Sequence, residues 1–327
     1  MEEVLDRFSK MDVLVIGDIM LDRYLVGDVD RISQEAPVPI VKLERQKSWN
    51  VPGGAGNVAT NLSLLAINNV SLLGRVGPDV SGKILLTKFR DMHNVNVQFV
   101  RSEPGTLTTI KTRLVAKHQQ IVRFDLEDTS PLNPKAEEKV VWALRSIIPA
   151  VQGVIISDYN KGFLTFPMLK AISNICSFNK VPVFIDPNPT TDYPPFSNAT
   201  LLPNLIEAKE MSRLSPVDKS STEKVGKVLM DKFGTVSITL GAEGMILFER
   251  ENVIRVPPVT VEDVVDTVGA GDTIVSVFTL AKICGADLKE AAIIASIAAS
   301  IVIKHLGTYA VSFKELLDEV LNFKKGK

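Results

Sequence analysis

Short apolar runs alternate with amphipathic segments along most of the chain. The run Val13-Leu14-Val15-Ile16 is apolar on both faces and ends at Gly17, which is typical of a strand buried in a parallel sheet. Runs of the same kind occur at 154–156, 181–185, 201–202 and 236–240. Segments between them, including 134–148, 166–178 and 221–233, repeat apolar residues at helical spacing. The pattern predicts an α/β fold, with a doubly wound, mostly parallel sheet flanked by helices.

Two segments, 24–43 and 95–125, depart from this alternation because they are rich in Val, Ile, Thr and Arg. They predict strands with mixed polar and apolar faces, and we expect them to form one small separate sheet. In an open α/β sheet the ligand lies beyond the carboxyl ends of the strands, so this small sheet would act as a lid there. We find no internal repeat or long linker, so we interpret residues 1–327 as a single domain with a discontinuous β-sheet lid.

Composition and charge exclude several classes of partner. The chain is 45% hydrophobic and 23% charged, with a formal net charge of −1, so no global field favours nucleic acid or an anionic membrane. Cys176 and Cys284 are far apart, which argues against a disulfide framework. The first residues lack a secretory signal pattern, and the apolar run at 291–303 is too short to span a bilayer. We therefore expect a cytoplasmic protein with a small-molecule ligand.

The strongest local motif is Asp266-Thr-Val-Gly-Ala-Gly-Asp272, directly before an apolar helical segment. The small residues Gly269, Ala270 and Gly271 allow a ligand close to the backbone, and the N–H groups that open the helix form an anion site. Asp272 at the helix start could accept a proton from an attacking hydroxyl. Asp is also a preferred N-cap residue, so a purely capping role for Asp272 stays open.

Three further groups of polar residues follow predicted strands or glycine turns. Gly53-Gly54-Ala55-Gly56-Asn57 permits close approach of a polyol, although a tight strand-to-helix turn explains it equally well. Asp18 and Asp22 follow the first strand, where a parallel sheet presents ligand groups. Asn204 and Glu207 are spaced either to face a hydrated Mg²⁺ or simply to cap a helix.

Two familiar nucleotide-binding motifs are missing. Residues 77–84 have the P-loop spacing, but Ile84 stands where Mg²⁺ coordination needs Ser or Thr. No Gly-x-Gly-x-x-Gly is present, so Rossmann-type dinucleotide binding is unsupported.

The order of these motifs, together with Thr239-Leu240-Gly241, resembles the ribokinase-like (PfkB) sugar kinases along the whole chain. Longer matches at 31–42, 111–113, 119–125 and 157–162 are similar to the D-glycero-β-D-manno-heptose 7-phosphate kinases. These kinases make the 1,7-bisphosphate on the path to ADP-heptose, a precursor of lipopolysaccharide. Some relatives carry a fused adenylyltransferase domain; we expect none here, because the chain stops soon after the kinase region.

The resemblance implies a ribokinase-like fold, ATP with Mg²⁺ as cofactors, and a homodimer built through the lids; a monovalent cation is left open. By motif, Asp272 would be the base, and the amides of Gly269, Ala270 and Gly271 the anion hole. Sugar hydroxyls would be held by Asp22, Gly53, Gly54 and Asn57. Asn204 and Glu207 would organise Mg²⁺ through water. The nucleotide would be bound by Asn204, Glu207, Thr239, Gly241, Gly244, Asp266 and Gly307.

Basic residues in the matched stretches are candidates for the 7-phosphate, since guanidinium and ammonium groups pair well with phosphate oxygens. They are Arg31, Lys111, Arg113, Arg123 and Lys161. We prefer Arg113 and Lys161, although each could instead be a solvated surface charge. These kinases usually carry a Lys after Asp-Pro, where this chain has Asn188, so one cationic contact is missing.

Two other functions stay open. The chain could be a kinase of this family for another sugar, sugar phosphate or nucleoside, since the site rather than the fold decides the substrate. A non-catalytic ligand-binding protein is the second alternative, and the intact run 269–272 argues against it because such a protein needs no base.

Overall fold

The computed structural model describes residues 1–116, 119–215, 221–259 and 264–325. Within these residues nine strands form the central sheet: β1 (Asp12–Gly17), β5 (Asn69–Val76), β6 (Val95–Ser102), β9 (Gly153–Ser157), β10 (Val183–Asp186), β11 (Ala199–Leu201), β12 (Gly234–Thr239), β13 (Met245–Glu249) and β14 (Asn252–Val256). Their order is β14-β13-β12-β11-β10-β9-β1-β5-β6. The pairs from β6 to β12 are parallel, whereas β13 and β14 add an antiparallel hairpin at one edge.

Helices cover both faces of this sheet. They are α1 (Glu2–Leu5), α2 (Ala55–Leu64), α3 (Val80–Arg90), α4 (Pro134–Ile147), α5 (Phe166–Asn179), α6 (Leu205–Met211), α7 (Thr222–Phe233), α8 (Ala270–Ile283), α9 (Leu288–Val302) and α10 (Phe313–Lys325). In β1, Val13 and Val15 join a core with α2, α3, α8 and α9. Leu14 and Ile16 face the opposite core, under α4, α5 and α7. Because successive strand residues point to opposite faces, both faces must be apolar, and the predicted doubly wound, mostly parallel sheet is confirmed.

A second sheet comprises β2 (Ile19–Ile32), β3 (Pro39–Leu43), β4 (Trp49–Gly54), β7 (Thr109–Ala116) and β8 (Gln119–Leu126). Its order is β3-β2-β7-β8, with β4 paired to the first part of β2. Lys111 lies opposite Asp22, and Arg113 lies opposite Tyr24. Residues two apart on a strand share a face, so these four side chains lie on one face of the second sheet.

The predicted extent of the small sheet was wrong at one end. Residues 95–102 form β6, which pairs with β5 at the edge of the central sheet rather than with the second sheet. An edge strand buries only part of its surface, so its sequence mixes polar and apolar positions as a lid strand does. Residues 117–118 of the predicted segment lie outside the described residues.

No helix in the described part of the chain is long and apolar enough to cross a membrane. The apolar run at 291–303 falls largely within α9, as predicted for a buried helix. Cys176 and Cys284 are both free and buried. Burial raises the pKa of these thiols to about 12 and about 11 respectively, so both are inert thiols at neutral pH.

Candidate active site

A cavity of about 190 Å³ opens where the carboxyl ends of several central strands meet the start of α8. Of the residues predicted from the sequence, it is lined by Asn204, Glu207, Thr239, Gly269, Gly271 and Asp272. It is also lined by residues that the sequence analysis did not assign to a site: Asp158, Tyr159, Asp186, Pro187, Leu202 and Ile274, together with Asn188. Polar groups therefore converge at the edge of the sheet where a ligand is expected.

Asp272 is held by two hydrogen-bond donors. Asn57 Nδ2 donates to Asp272 Oδ2 at 2.7 Å, and the Tyr159 hydroxyl donates to Oδ1 at 3.0 Å. The side chain is only 5% exposed, and burial raises the pKa of Asp272 to about 6. Gly269 is the N-cap of α8, which has no side-chain cap, so the alternative that Asp272 merely caps this helix is wrong. Asp272 is therefore a buried carboxylate that is ionised at neutral pH.

The start of α8 is open above its first turn. Gly269 has φ +82°, in the left-handed region, and Gly271 has no atom within 4 Å of the place where a Cβ would stand. The first N–H groups of a helix have no partner inside the helix and carry the positive end of its dipole. This geometry suits an anion close to the backbone.

The glycines at 53 and 54 are required by close packing of the chain on two aspartates. A Cβ on Gly54, which has φ +56°, would lie 2.4 Å from the carbonyl oxygen of Asp18. A Cβ on Gly53 would lie 2.6 Å from Asp22 Oδ2. The strand-to-helix turn interpretation is thus confirmed, and the same turn carries Asn57 to Asp272.

Asp22 is the centre of a buried polar cluster. Arg113 Nη1 donates to Asp22 Oδ1 at 2.7 Å, and each of these two side chains is 7% exposed. The Thr308 hydroxyl donates to Asp22 Oδ2 at 3.1 Å. Asp266 accepts the N–H of Gly307 at 3.0 Å, which anchors the segment that carries Thr308. The structure therefore links Asp266 and Gly307 to each other and to the second sheet, outside the lining of the cavity.

Asp18 fixes the loop that follows β9. Its carboxylate accepts backbone N–H groups of Tyr159 and Lys161, both at 3.0 Å, and of Phe163 at 3.4 Å. Burial and the neighbouring Asp158 raise the pKa of Asp18 to about 6. Asp18 is thus occupied by the protein backbone rather than directed at a ligand.

Asn204 and Glu207 form a capping box at the start of α6. Asn204 Oδ1 accepts the N–H groups of Ile206 and Glu207 at 2.9 and 3.0 Å, and Glu207 Oε2 accepts the Asn204 N–H at 2.8 Å. The capping interpretation is confirmed, yet both side chains also line the cavity. Burial raises the pKa of Glu207. Among the described residues, no group of three or more His, Cys, Asp or Glu could hold a metal ion.

The three residues predicted around 239–244 differ in their surroundings. Thr239 lines the cavity and bridges to Asn204. Gly241 has φ +59° and open space at its Cβ position, whereas a Cβ on Gly244 would lie 2.2 Å from the carbonyl oxygen of Val256. Gly244 is therefore explained by packing of the hairpin, and Gly241 is the glycine whose surroundings leave room for a ligand.

Most of the predicted phosphate contacts already have partners. Lys161 Nζ contacts Glu127 at 2.8 Å, Arg123 contacts Asp125 at 3.1 Å, and Arg113 contacts Asp22. Arg31 lies at the exposed end of β2.

Lys111 is different. Its ammonium lies 4.6 Å from the centre of the Tyr159 ring, and in the described part of the chain it makes no ion pair with a carboxylate. Burial lowers the pKa of Lys111, as expected for a cation without a close counter-ion.

Tyr159 and Asp186 are the main site residues that sequence reasoning missed. Asp186 ends β10, and burial together with Asp272, Glu207 and Asp158 raises its pKa well above the usual range. The signal was present, because both residues stand at the carboxyl ends of predicted strands, as Asp18 does. Asn188 binds locally: its Oδ1 accepts the N–H of Thr190 at 3.0 Å.

Comparison with known proteins identifies the family of this chain. The sequence profile described as pfkB family carbohydrate kinase matches residues 10–315. The protein named bifunctional protein HldE from Geobacter metallireducens is 40% identical over 310 residues, which cover 94% of this chain and 62% of that protein. The protein of the same name from Trichlorobacter lovleyi is 37% identical over 323 residues, covering 98% and 65%. The chain thus spans a little under two thirds of the length of these relatives.

The fold has solved counterparts. The structure of Arabidopsis thaliana ribokinase complexed with ribose and ATP superposes with a TM-score of 0.72 at 19% identity, covering 95% of this chain and 99% of that one. The ribokinase-like fold predicted from the sequence is confirmed, including the large sheet flanked by helices and the small separate sheet.

Proposed function

This chain belongs to the pfkB family of carbohydrate kinases, and we propose that it transfers the γ-phosphoryl group of ATP to the 1-hydroxyl of D-glycero-β-D-manno-heptose 7-phosphate. The product is the 1,7-bisphosphate used in ADP-heptose biosynthesis. One observation carries the proposal: a buried base, Asp272, and a half-buried cation, Lys111, contact the same residue, Tyr159. Among the described residues Lys111 forms no ion pair. A sugar with a hydroxyl at one end and a phosphate at the other is complementary to this pair.

Asp272 acts as the base. Its carboxylate accepts the proton of the 1-hydroxyl while the bond from that oxygen to the γ-phosphorus forms and the bond from phosphorus to the β-phosphate oxygen breaks. Each carboxylate oxygen has more than one acceptor direction, so Asn57 and Tyr159 can remain bound to Asp272 throughout. With a pKa of about 6, the carboxylate is ionised at neutral pH. This pKa is also close enough to 7 for the group to serve as a general base.

The residues around the cavity suit MgATP. Hydrated Mg²⁺ prefers oxygen ligands and is commonly bound through one or two carboxylates plus substrate phosphates; Glu207 and Asn204, acting through water, offer such oxygens. When bound, Mg²⁺ neutralises charge on the transferred phosphate. Burial, followed by the charges of Asp272, Glu207 and Asp158, raises the pKa of Asp186, and a bound cation would offset the negative charge of these carboxylates. The N–H groups of Gly269 and Gly271 bind the phosphate oxygens, whereas the Ala270 N–H already donates to the carbonyl oxygen of Thr267 at 3.3 Å. Thr239 and Gly241 lie towards the nucleotide.

The sugar lies between the central sheet and the second sheet. Asp22 and Asn57 bind its hydroxyls, and Gly53 and Gly54 let the chain pack closely on Asp22 and Asp18. Lys111 binds the 7-phosphate. Arg113 holds Asp22 in place, since its own guanidinium is already paired. This assignment moves the main phosphate contact from Arg113 and Lys161 to Lys111.

We also propose that the second sheet is a lid and that two copies associate through it. β8 is exposed along its whole length. Exposed apolar side chains on the outer strands β3 and β8 are Ile40, Leu43, Ile121, Val122, Phe124 and Leu126, and Ile32 is exposed at the end of β2; this concentration is typical of an interface. Phe124→Asp should convert the dimer to a monomer in sedimentation velocity, and a wild-type protein that sediments as a monomer would contradict the association.

A substrate panel tests the reaction. ADP release is measured with ATP, Mg²⁺ and heptose 7-phosphate, unphosphorylated heptose, fructose 6-phosphate, ribose or adenosine, and ³¹P NMR locates the new phosphate. We expect preference for heptose 7-phosphate and a phosphate on C1. Preference for another substrate would favour a kinase of this family with a different acceptor, and would explain why Asn188 stands where the heptose phosphate kinases usually have a Lys. Absence of turnover with all five compounds would favour a non-catalytic ligand-binding protein.

A variant pair tests the phosphate contact. Lys111→Met should raise KM for heptose 7-phosphate about tenfold or more, and change KM for unphosphorylated heptose little, because loss of a charge-assisted contact costs about 1.5–3 kcal/mol. Arg31→Met removes an exposed cation of the same sheet and serves as the control. Equal effects of Lys111→Met on both sugars would contradict the assignment.

A further inference from the structure

We propose that Tyr159 is a positioning residue that joins the lid to the base: its hydroxyl orients Asp272, and its ring supports Lys111. This inference rests on the proposed kinase reaction and deepens it, because it concerns how the two ends of the substrate are brought into register.

The hydroxyl end is a directed contact. Tyr159 donates to Asp272 Oδ1 at 3.0 Å while Asn57 donates to Oδ2 at 2.7 Å. The two donors grip both oxygens of the carboxylate, which fixes its plane and leaves the remaining acceptor directions for a substrate hydroxyl. Burial, followed by the charge of Asp272, raises the pKa of Tyr159 well above its usual value, so the hydroxyl stays protonated and can donate its hydrogen bond to Asp272.

The ring end contacts the lid. The Lys111 ammonium lies 4.6 Å from the ring centre, a distance at which a cation is attracted to the face of an aromatic ring. Lys111 belongs to β7 of the second sheet, whereas Tyr159 follows β9 of the central sheet. One side chain therefore contacts both the base and the cation that we assign to the phosphate.

The backbone of Tyr159 is rigidly held. Asp18 accepts its N–H at 3.0 Å and that of Lys161 at 3.0 Å. The ring also packs close to Gly54, where an added Cβ would lie 3.3 Å from Cδ2. The backbone of the tyrosine is thus held by a carboxylate and its ring lies against a glycine turn, which is the support that a positioning residue needs.

Other charged groups also face Asp272. Asp22 and Lys111 face it from the second sheet, and Asp186 faces it from β10. None of them donates a hydrogen bond to its carboxylate in the described residues, so Tyr159 and Asn57 are the two contacts that set its orientation.

Two substitutions separate the two ends of Tyr159. Tyr159→Phe keeps the ring and removes only the hydroxyl; we expect kcat to fall about tenfold, KM for heptose 7-phosphate to stay within about twofold, and the acid limb of the kcat/KM profile to move to higher pH. Tyr159→Leu also removes the ring, and we expect it to raise KM for heptose 7-phosphate several-fold further. Each variant is compared with the wild type on the same substrate, heptose 7-phosphate. Titration of the substrate phosphate therefore affects both pH profiles equally and cancels in the comparison.

Tyr193→Phe is the matched control, because Tyr193 is also a buried tyrosine whose hydroxyl donates to a carboxylate, that of Asp158. It should lower the unfolding midpoint without moving the acid limb. The inference is overturned if Tyr159→Phe has wild-type kcat and an unmoved acid limb, or if the Phe and Leu variants share the same KM. Failure of the proposed function is distinct, since wild-type protein would then release no ADP with the heptose phosphate.

Discussion

Replacing Arg113 with Met should destabilise the protein strongly, because it leaves the buried carboxylate of Asp22 without its cationic partner. The Arg113–Asp22 contact measures 2.7 Å, with both side chains 7% exposed. At an effective dielectric constant of about 20, two unit charges at this distance attract by roughly 6 kcal/mol before desolvation is subtracted. Removing one partner of a buried pair costs about 3–5 kcal/mol. Asp22 keeps the Thr308 hydroxyl as a donor, so we expect the lower end, about 3 kcal/mol.

A double-mutant cycle isolates the pair. Arg113→Met, Asp22→Asn and the double variant are unfolded in urea, and the free energies of unfolding are compared at equal m-values. Since Asn at position 22 carries no charge, loss of Arg113 from that background should cost only about 1 kcal/mol, leaving a coupling of about 2 kcal/mol. The control cycle uses Arg123 and Asp125, which are 3.1 Å apart but 50% and 20% exposed, and should give less than about 1 kcal/mol.

The reasoning is refuted if both cycles give the same coupling. It is also refuted if Arg113→Met is as stable as the wild type, because the carboxylate of Asp22 would then be solvated or paired in some other way.

Three further predictions concern the base and the glycine turns. Burial raises the pKa of Asp272 to about 6, and only the ionised form accepts the proton. We therefore expect kcat/KM with unphosphorylated heptose to fall as the pH drops through 6, to about a tenth of its plateau at pH 5. A flat profile down to pH 5 would contradict this. Asp272→Asn should abolish ADP release while keeping the unfolding midpoint close to wild type. Gly54→Ala places a Cβ 2.4 Å from the Asp18 carbonyl at φ +56° and should cost more than about 2 kcal/mol in thermal unfolding. Gly271→Ala meets no atom within 4 Å and should leave stability unchanged but raise KM for ATP, because the methyl group occupies space beside the phosphate; equal melting losses for both glycine variants would contradict this contrast.

Local patterns in the sequence were sufficient for five strands of the central sheet, β1 and β9 to β12. The apolar run at 13–16 and the helical spacing at 134–148 are properties of neighbouring residues, and both elements form as predicted. The same holds for the glycine-rich turn before α8, which places Asp272 in the first turn of that helix. Periodicity decides which face of an element is buried, and that information lies within a few residues.

The order of strands and the partners of charged side chains were decided only by the tertiary structure. Residues 95–102 have the composition of a lid strand but pair with β5, because the order of strands in a sheet depends on long-range packing. Arg113 reaches Asp22 across 91 positions of sequence, and Tyr159 reaches Asp272 across 113. The sequence shows which side chains carry charge. Whether a cation is paired among the described residues, as Arg113 is, or not, as for Lys111, depends on strand register and on which chain segments meet in space.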